Sequence, residues 1–363
     1  MTTKQKIGRF FKSLVNNTVA LEEGRKSKWW SSLILFLLSI IIAVIPTMIV
    51  TGKVKGQDVF RGSLYSTEVY LQKFHENLSD NDVDLIITNE KPNSYITHSE
   101  NFELTFNNEL TLKDDIETEV AFKYYSFSKE IDGKETEVFR VYYTGNIDKV
   151  MMKKNKILSP QSFLSSYLFD ATPEITNISS HLIIGKNDLL LRIYNPAKAT
   201  KGSSPVKNLS GVYTNINDGT NLKDFYTKDK DGNAISASDV NFSEQFMDNW
   251  KQFANNLYKP IKTKVFFSQS GISLLIYAVL SAFIGLVIFL ITRGKNNPNR
   301  DIRFGESMKI GCWLLLTPAL ITLLIGSFAP QMAALIYIGS LGMRTVWLSM
   351  RTLNPHYQEP PKK

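Results

Sequence analysis

The apolar stretch at residues 31–50, SSLILFLLSIIIAVIPTMIV, runs for twenty residues without a charged side chain. A helix of that length is about 30 Å long, because each residue adds about 1.5 Å, and this matches the hydrocarbon core of a bilayer. The stretch is longer than the apolar core of a secretory signal peptide, and no small-residue cleavage site follows it. The sequence therefore predicts an uncleaved membrane-spanning helix over residues 31–51.

Three further apolar segments predict spanning helices over residues 271–292, 310–328 and 332–350. The last two are each about 19 residues long, which is near the lower limit for a full crossing. Ser281 and Gly285 in the second span are small residues four apart, a spacing that lets helices approach closely. A tight turn at Ala329-Pro330-Gln331 is predicted to join the third and fourth spans.

The charge distribution predicts which segments lie on which side of the membrane. Residues 52–265 contain 26 Lys and Arg against 29 Asp and Glu, whereas the rest of the chain contains 16 basic and 5 acidic residues. Excess positive charge beside apolar spans is typical of cytoplasmic segments and not of a nucleic-acid-binding surface. Segments 1–28, 293–309 and 351–363 are therefore predicted to be cytoplasmic, and residues 52–265 extracellular.

The cytoplasmic N-terminal segment, residues 1–28, is predicted to form a basic amphipathic helix. Its apolar and basic residues fall on different sides at helical spacing: Ile7, Phe10, Phe11, Leu14 and Thr18 against Lys4, Lys6, Arg9 and Lys12. Two placements fit this pattern equally well. The helix could lie on the lipid surface, or it could dock on the protein's own helices.

The polar segment 52–265 has the composition of one globular α+β domain. Alternating apolar residues predict strands at residues 83–88 and 101–107 and hairpins at residues 119–143 and 181–194. Helices are predicted at residues 61–78, 162–169 and 242–259, the last of them ended by Pro260. The predicted fold class is thus an α-helical membrane protein with four transmembrane helices and an inserted extracytoplasmic α+β domain.

Arg344 is the only charged residue within the four predicted spans. An ionisable residue at membrane depth suggests a functional role, although an arginine near a helix end can also extend its side chain to the interface. Pro46 and the pair Thr317-Pro318 are further intramembrane candidates, because a proline inside a span marks a kink or a hinge.

A candidate calcium loop lies in the extracytoplasmic segment, with oxygen ligands from Asp229, Asp231, Asn233 and Asp239. It departs from an EF-hand loop because Ala234 stands where the sharp turn requires glycine and the loop is one residue short. The alternative interpretation is a tight turn at Asp231 and Gly232. No other metal site is indicated.

Enzymatic chemistry is not indicated by the sequence. The single cysteine, Cys312, excludes an intramolecular disulfide and a cysteine-based zinc site. No nucleophile motif, phosphate-binding loop or cofactor fingerprint is present, so neither catalytic residues nor a cofactor are predicted. A large extracellular domain without disulfides is typical of a bacterial, Gram-positive-like protein.

Several short segments carry a family resemblance. They are Arg9-Phe10-Phe11-Lys12-Ser13-Leu14, Ile45-Pro46-Thr47, Gly305-Glu306-Ser307 and Leu316-Thr317-Pro318-Ala319-Leu320. With the order of spans and insert, they resemble an uncharacterised family of Gram-positive bacterial membrane proteins that are labelled maltodextrin utilisation proteins. The resemblance implies an association with maltodextrin uptake and supplies no catalytic residues.

Three functional hypotheses follow. The first is a non-enzymatic plasma-membrane accessory protein that contacts an ABC-type sugar transporter or an envelope protein. The second is a small-solute transporter or channel component that works through the helix bundle, with Arg344, Pro46 and Pro318 as its functional residues. The third is an extracellular sensor of a ligand or of calcium. The lipid bilayer is a partner in each case, and nucleic acid in none.

Overall fold

The chain divides into two compact units in the computed structural model, which describes residues 3–61, 64–90, 93–113, 119–131, 133–144, 180–194, 206–294 and 297–353. A helical unit is formed by Met1–Lys53 with Lys264–Lys363, and a sheet-rich unit is formed by Val54–Thr263. The α-helices are α1 (Thr3–Val15), α2 (Asn17–Lys26), α3 (Trp29–Lys53), α4 (Leu64–Asp80), α5 (Phe242–Thr292), α6 (Phe304–Leu314), α7 (Leu316–Phe328) and α8 (Ala333–Leu348).

Within the described residues, four helical stretches are long and apolar enough to cross a membrane. They are Trp29–Lys53, Phe242–Thr292, Phe304–Phe328 and Pro330–Leu353. The prediction of four long apolar helices beside a separate sheet-rich region is therefore confirmed.

Helix α5 corrects the predicted end of a helix at Pro260. The helix continues through this proline and runs for 51 residues. A proline removes only one hydrogen bond of the helix, to the carbonyl four residues earlier, and leaves the bonds on both sides intact. Trp250 and Leu257 in the preceding turns are buried, and their packing stabilises the helix on that side of Pro260.

The last two spans also differ from their predicted bounds. The third begins at Phe304 and is interrupted at Leu315, between α6 and α7. The fourth follows a 3₁₀ turn at Pro330–Met332, and after α8 it continues into a π-helical turn at Ser349–Leu353. The interruption at Leu315 has a local cause, because Pro318 cannot donate to the carbonyl of Leu314.

The N-terminal segment forms two helices and not one. The chain breaks at Asn16, whose side chain accepts hydrogen bonds from the amides of Thr18 and Val19 and so caps α2. Phe10 of α1 packs edge-on against Trp313 of α6, with ring centroids 6.0 Å apart. Of the two placements considered for this segment, the structure favours docking on the bundle.

Small residues and a proline mark the close contacts within the bundle. Gly285 of α5 and Gly311 of α6 pack backbone against backbone, as the small-residue spacing in the second span predicts. A Cβ atom added at Gly326 would lie 3.2 Å from Cγ of Pro46, so α7 packs directly on the proline of α3. Pro46 is thus a packing residue of this interface.

The sheet-rich unit contains nine described strands. They are β1 (Leu85–Glu90), β2 (Asn93–His98), β3 (Asn108–Lys113), β4 (Glu119–Ile131), β5 (Lys134–Tyr143), β6 (Ser180–Ile184), β7 (Asp188–Tyr194), β8 (Val206–Val212) and β9 (Thr220–Asn221). A three-stranded sheet has the order β2-β1-β9, and a six-stranded sheet has the order β3-β4-β5-β6-β7-β8. In the larger sheet β5 and β6 are parallel, and the other neighbours are antiparallel.

Both predicted hairpins are confirmed. Strands β4 and β5 pair antiparallel, and Gly133 in their turn has φ +76°, a left-handed conformation that favours glycine. Strands β6 and β7 form the second hairpin. The helix predicted at residues 162–169 lies outside the described residues.

The strand predicted at residues 101–107 is wrong. Residues Glu100–Leu104 form a 3₁₀ helix, and the rings of Phe102 and Phe106 stack 4.2 Å apart in the core. Two large apolar residues four positions apart reach the same side from a helical turn, whereas an extended chain would have to bury the residue between them as well. That residue, Leu104, is exposed.

Candidate functional site

Arg344 lies within α8 and is buried, with 8% of its surface exposed. Its Nε atom donates to Oδ1 of Asn17 at 3.0 Å, and its Nη1 atom donates to the carbonyl of Leu314 at 3.0 Å. Its Nη2 atom donates to the carbonyl of Ser13. Asn17 in turn donates from Nδ2 to the carbonyl of Arg344 at 3.3 Å. We call this set of four residues the arginine node.

The carbonyl acceptors of the node are available because both belong to helix ends. Ser13 lies in the last turn of α1, where the carbonyls have no amide partner within the helix. Leu314 is the last residue of α6, and the residue four positions on is Pro318, which has no amide hydrogen. Helix carboxyl ends carry partial negative charge, so the cation lies between two favourable dipoles.

Thr317 belongs to the same junction. Its Oγ1 atom donates to the carbonyl of Leu14 at 2.5 Å, next to the carbonyl that Arg344 uses. Pro318 is buried in the first turn of α7. Three of the four intramembrane candidates therefore meet where α1, α6, α7 and α8 converge, while Pro46 packs separately against Gly326.

The node gives Arg344 a structural role that neither sequence interpretation included. The side chain is buried and joins the N-terminal helices to α8 and to the α6–α7 junction. The sequence offers no acidic partner in the spans, and none is needed, because the acceptors are backbone carbonyls and one amide. This arrangement can anchor helices, but it holds no proton-accepting group.

The candidate calcium loop forms a tight turn. Oδ1 of Asp229 accepts from the amides of Asp231 and Asn233, and its Oδ2 accepts from Nδ2 of Asn233. These hydrogen bonds lower the pKa of Asp229, the side-chain bond from Asn233 most of all. Gly232 takes a left-handed φ of +87°.

Asp239 belongs to the next turn and not to that of Asp229. Its Oδ2 atom accepts from the amide of Ser236 at 2.9 Å. Across the described residues, no group of three or more His, Cys, Asp and Glu side chains is placed to hold a metal ion. The geometry of the segment fits the alternative interpretation of a tight turn.

A polar groove lies beside this turn in the sheet-rich unit, with a volume of about 210 Å³. Most of its lining is uncharged, and the part used below is Asn217, Thr220, Phe225, Asn249, Gln252 and Asn256. We call this the amide groove. An adjoining open depression shares Gln252 and Asn256 with it. Sequence reasoning missed this site; the only signal was the density of Asn and Gln in the first half of α5.

The polar groups of the amide groove differ in how far they are already engaged. Asn249 uses its Nδ2 atom to bond the carbonyls of Phe225 and Lys228 at 3.2 and 2.7 Å. Asn217, Gln252 and Asn256 make no side-chain hydrogen bond in the described part of the protein. Each of these three carboxamides can still donate and accept, so the groove can bind a ligand with hydroxyl groups.

Four charged residues line the groove, and two of them form an ion pair. Lys228 donates to Oδ2 of Asp224 at 3.0 Å, and Asp229 is held in its turn. Phe225 contributes an apolar surface, and its ring stacks on buried His75 with centroids 5.6 Å apart. The groove therefore combines neutral hydrogen-bonding groups with an aromatic ring.

His75 lies in the core behind the groove and is fully buried. Its Nδ1 atom is 2.7 Å from the carbonyl of Leu222, and its Nε2 atom accepts from Nε1 of Trp250 at 3.2 Å. The ring is therefore neutral, and burial lowers its pKa to about 3. Both nitrogens are used by the core, so His75 has a structural role and is not a metal ligand or catalytic base.

Comparison with known proteins adds no identification, because no family model matches the chain and no curated protein or solved structure matches it either. The functional assignment therefore depends on the residues themselves. The resemblance to maltodextrin utilisation proteins stays a prediction.

Proposed function

We propose that this chain is a bacterial plasma-membrane accessory protein of a sugar uptake system, without enzymatic activity. In this proposal the four apolar helices cross the membrane, both termini are cytoplasmic, and residues 52–265 are extracellular. The sheet-rich unit binds a saccharide ligand at the amide groove and contacts an ABC-type transporter or another envelope protein.

The amide groove is the observation that carries the proposal. Sugars present many hydroxyl groups that both donate and accept, and carboxamides such as those of Gln252 and Asn256 complement them in both directions. The lining has two acidic residues, Asp224 and Asp229, and two basic residues, Lys228 and Lys230, so its formal charge is balanced, which favours a neutral ligand. The resemblance to maltodextrin utilisation proteins points to the same ligand class.

The arginine node favours an accessory role over transport through the bundle. A substrate pathway needs polar groups that can exchange partners with the solute. Arg344 instead donates hydrogen bonds from three nitrogen atoms to Ser13, Asn17 and Leu314. These bonds join helices to one another. The engaged carboxylate of Asp229 likewise makes a calcium sensor the less favoured alternative.

Ligand binding can be tested with the full-length protein in detergent, by calorimetry with linear maltodextrins. We expect saturable binding that Gln252→Ala combined with Asn256→Ala weakens by about tenfold or more, since each lost hydrogen bond contributes about 1 kcal/mol. Asn215→Ala, at an exposed amide outside the groove, is the matched control. Equal binding by all three proteins, or no binding by the wild type, would reject the saccharide site.

Sidedness needs a separate experiment. In a Cys312→Ser background, cysteines are placed at Lys6 or at Asn233, and intact cells are treated with a membrane-impermeant maleimide. The proposal expects labelling at position 233 only. Labelling at position 6 in intact cells would contradict the assignment of the N-terminus to the cytoplasm.

A further inference from the structure

One end of the helical unit gathers positive charge that its own carboxylates do not neutralise. The described part of this unit contains four carboxylates. Glu22 and Glu23 both bond Arg9, and Asp301 bonds Arg25. The fourth, Glu306, accepts from the backbone amide at the start of α6 at 2.9 Å. All four are therefore already engaged.

Exposed cations at this end have no carboxylate within ion-pairing distance among the described residues. Two of these cations, Arg293 and Arg351, lie over the rings of Phe289 and Trp347. The other six are Lys6, Lys12, Lys26, Lys28, Arg300 and Arg303. Lys309 ties the N-terminal helices to α6, because its Nζ atom donates to the carbonyls of Arg25 and Ser27 at 3.0 and 2.9 Å. The six cations thus belong to one packed region of the molecule.

Helix α1 adds an apolar face to this region. Ile7, Phe11 and Val15 follow one another at a spacing of four and are 54%, 61% and 88% exposed. They lie on one side of the helix, next to the side that docks on the bundle through Phe10 and Ser13. This apolar face is therefore largely exposed, and its one ring contact in the described part of the chain is that of Phe11 with Phe10 of the same helix.

Two tryptophans border the same surface. Trp29 and Trp30 open α3 and are 52% and 72% exposed. Exposed tryptophans at the start of an apolar spanning helix are typical of the level of the lipid headgroups. Because α3 begins directly after Lys28, the tryptophans adjoin the cations Lys26 and Lys28.

We propose that this surface binds the headgroups of anionic phospholipids. The six cations contact the headgroup charge, while Ile7, Phe11 and Val15 enter the boundary between headgroups and acyl chains. A bilayer fits better than a protein partner, because one apolar face, flanking lysines and neighbouring tryptophans are the combination that an interfacial helix uses. The arginine node holds α1 in position for this contact. The inference is independent of the proposed ligand at the amide groove.

Native mass spectrometry of the full-length protein tests the proposal, with mixed micelles that contain equal amounts of phosphatidylglycerol and phosphatidylcholine. We expect preferential retention of phosphatidylglycerol. Lys6→Gln, Lys12→Gln, Arg300→Gln and Arg303→Gln together should abolish the preference, with about fivefold weaker retention for each neutralised charge. The preference should also fall as salt rises.

The matched control neutralises four exposed lysines outside this surface: Lys55, Lys129, Lys134 and Lys259. It should retain phosphatidylglycerol as the wild type does. Equal retention of both lipids by the wild type, or an equal loss in both variants, would overturn the proposal.

A second measurement avoids charge variants that fail to fold. A fluorophore on Val15→Cys, in the Cys312→Ser background, is exposed to quenchers in vesicles that contain phosphatidylglycerol. We expect quenching by brominated lipid and protection from aqueous iodide. Quenching by iodide alone, or burial of the probe by a co-purified protein in place of lipid, would overturn the proposal.

Discussion

The Nη1 atom of Arg344 donates to the carbonyl oxygen of Leu314 at 3.0 Å, in the place of the backbone amide that this carbonyl would find in an uninterrupted helix. That amide would belong to Pro318, which has none. Pro318 thus leaves a carbonyl oxygen without its helical donor, and Arg344 of another helix provides a donor for it. The break between α6 and α7 supplies the acceptor, and α8 supplies the donor.

Replacing Arg344 should destabilise the bundle. Arg344→Leu leaves the carbonyls of Ser13 and Leu314 buried without donors, and an unsatisfied buried polar group costs about 1–3 kcal/mol. We expect a loss of about 2–5 kcal/mol in the free energy of unfolding, measured in detergent, and faster proteolysis of α1. Arg344→Lys should restore only part of the lost stability, because one ammonium group cannot donate in the three directions that the planar guanidinium does.

Arg351→Ala is the control for this prediction. Arg351 lies over the ring of Trp347 at 4.4 Å and is exposed, so its loss should change stability by about 0.5 kcal/mol or less. An Arg344→Leu protein as stable as this control would show that the node does not hold the helices together.

Pro318→Ala should weaken the dependence of the bundle on Arg344. Alanine restores an amide that can bond the carbonyl of Leu314 within the helix, so this acceptor no longer needs the guanidinium. In a double-mutant cycle, Arg344→Leu should cost about 1 kcal/mol less in the Pro318→Ala background than in the wild type. Strict additivity of the two changes would mean that the two residues are not coupled through Leu314.

Arg344 and Pro318 show which features of the helix bundle can be predicted from the sequence and which cannot. A lone charge in one apolar span and a proline inside another are both visible in the sequence, and each predicts a special position. Their connection is not visible, because the acceptors are backbone carbonyls with no residue-type signal. Ser13 lies 331 positions from Arg344, so only the packing of α1 brings the two together.

In the sheet-rich unit, too, local features can be predicted from the sequence, whereas contacts between distant residues cannot. The β4–β5 hairpin is predictable because alternation and a turn glycine are local signals, and Gly133 carries the positive φ that they require. The helical turn that contains Phe102 cannot be predicted in this way, because the burial of the Phe102 and Phe106 rings depends on packing in the core. The amide groove joins Asn217 to Gln252 from separate elements, and no local pattern contains that pairing.

His75 should make the sheet-rich unit sensitive to acid. Burial lowers its pKa to about 3, whereas the ordinary value is 6.5. The unfolded chain therefore binds more protons between these values, and the contribution of His75 to stability is complete above pH 6.5 and is lost as the pH falls toward 3. The slope from this one group is at most about 1.4 kcal/mol per pH unit.

Urea unfolding of the full-length protein between pH 4 and pH 7 measures this slope. His75→Gln should reduce it, since glutamine can donate and accept without titrating. His98→Gln, at an exposed histidine, should leave the slope as it is. An unchanged slope in the His75 variant would show that another group dominates the acid response.

Asp188 should act in the opposite direction. Burial raises its pKa to about 6 from an ordinary value of 3.8. The folded chain then binds more protons between these values, so the contribution of Asp188 is favourable at low pH and is lost as the pH rises through 6. Asp188→Asn should therefore increase the free energy of unfolding at pH 8 by about 1–3 kcal/mol and have little effect at pH 4.

The same urea titrations at pH 4 and pH 8 test this change against Asp231→Asn, which alters an exposed aspartate of the same unit. The control should be neutral at both pH values. A destabilising effect of Asp188→Asn at pH 8 would indicate that the folded state uses the charged carboxylate.

Gly8 and Gly24 form a matched pair for testing how the N-terminal helices dock. A Cβ atom at Gly24 would lie 2.6 Å from Cα of Ile310, so Gly24→Ala must push α2 away from α6. A Cβ atom at Gly8 would meet nothing within 4 Å. We expect Gly24→Ala to lose about 1–3 kcal/mol through overpacking, and Gly8→Ala to gain about 0.5–1 kcal/mol because alanine favours a helix. Thermal unfolding and protease protection of residues 3–26 measure both effects. Since both variants make the same chemical change in neighbouring helices, equal effects would mean that α2 is not packed against α6 at Ile310.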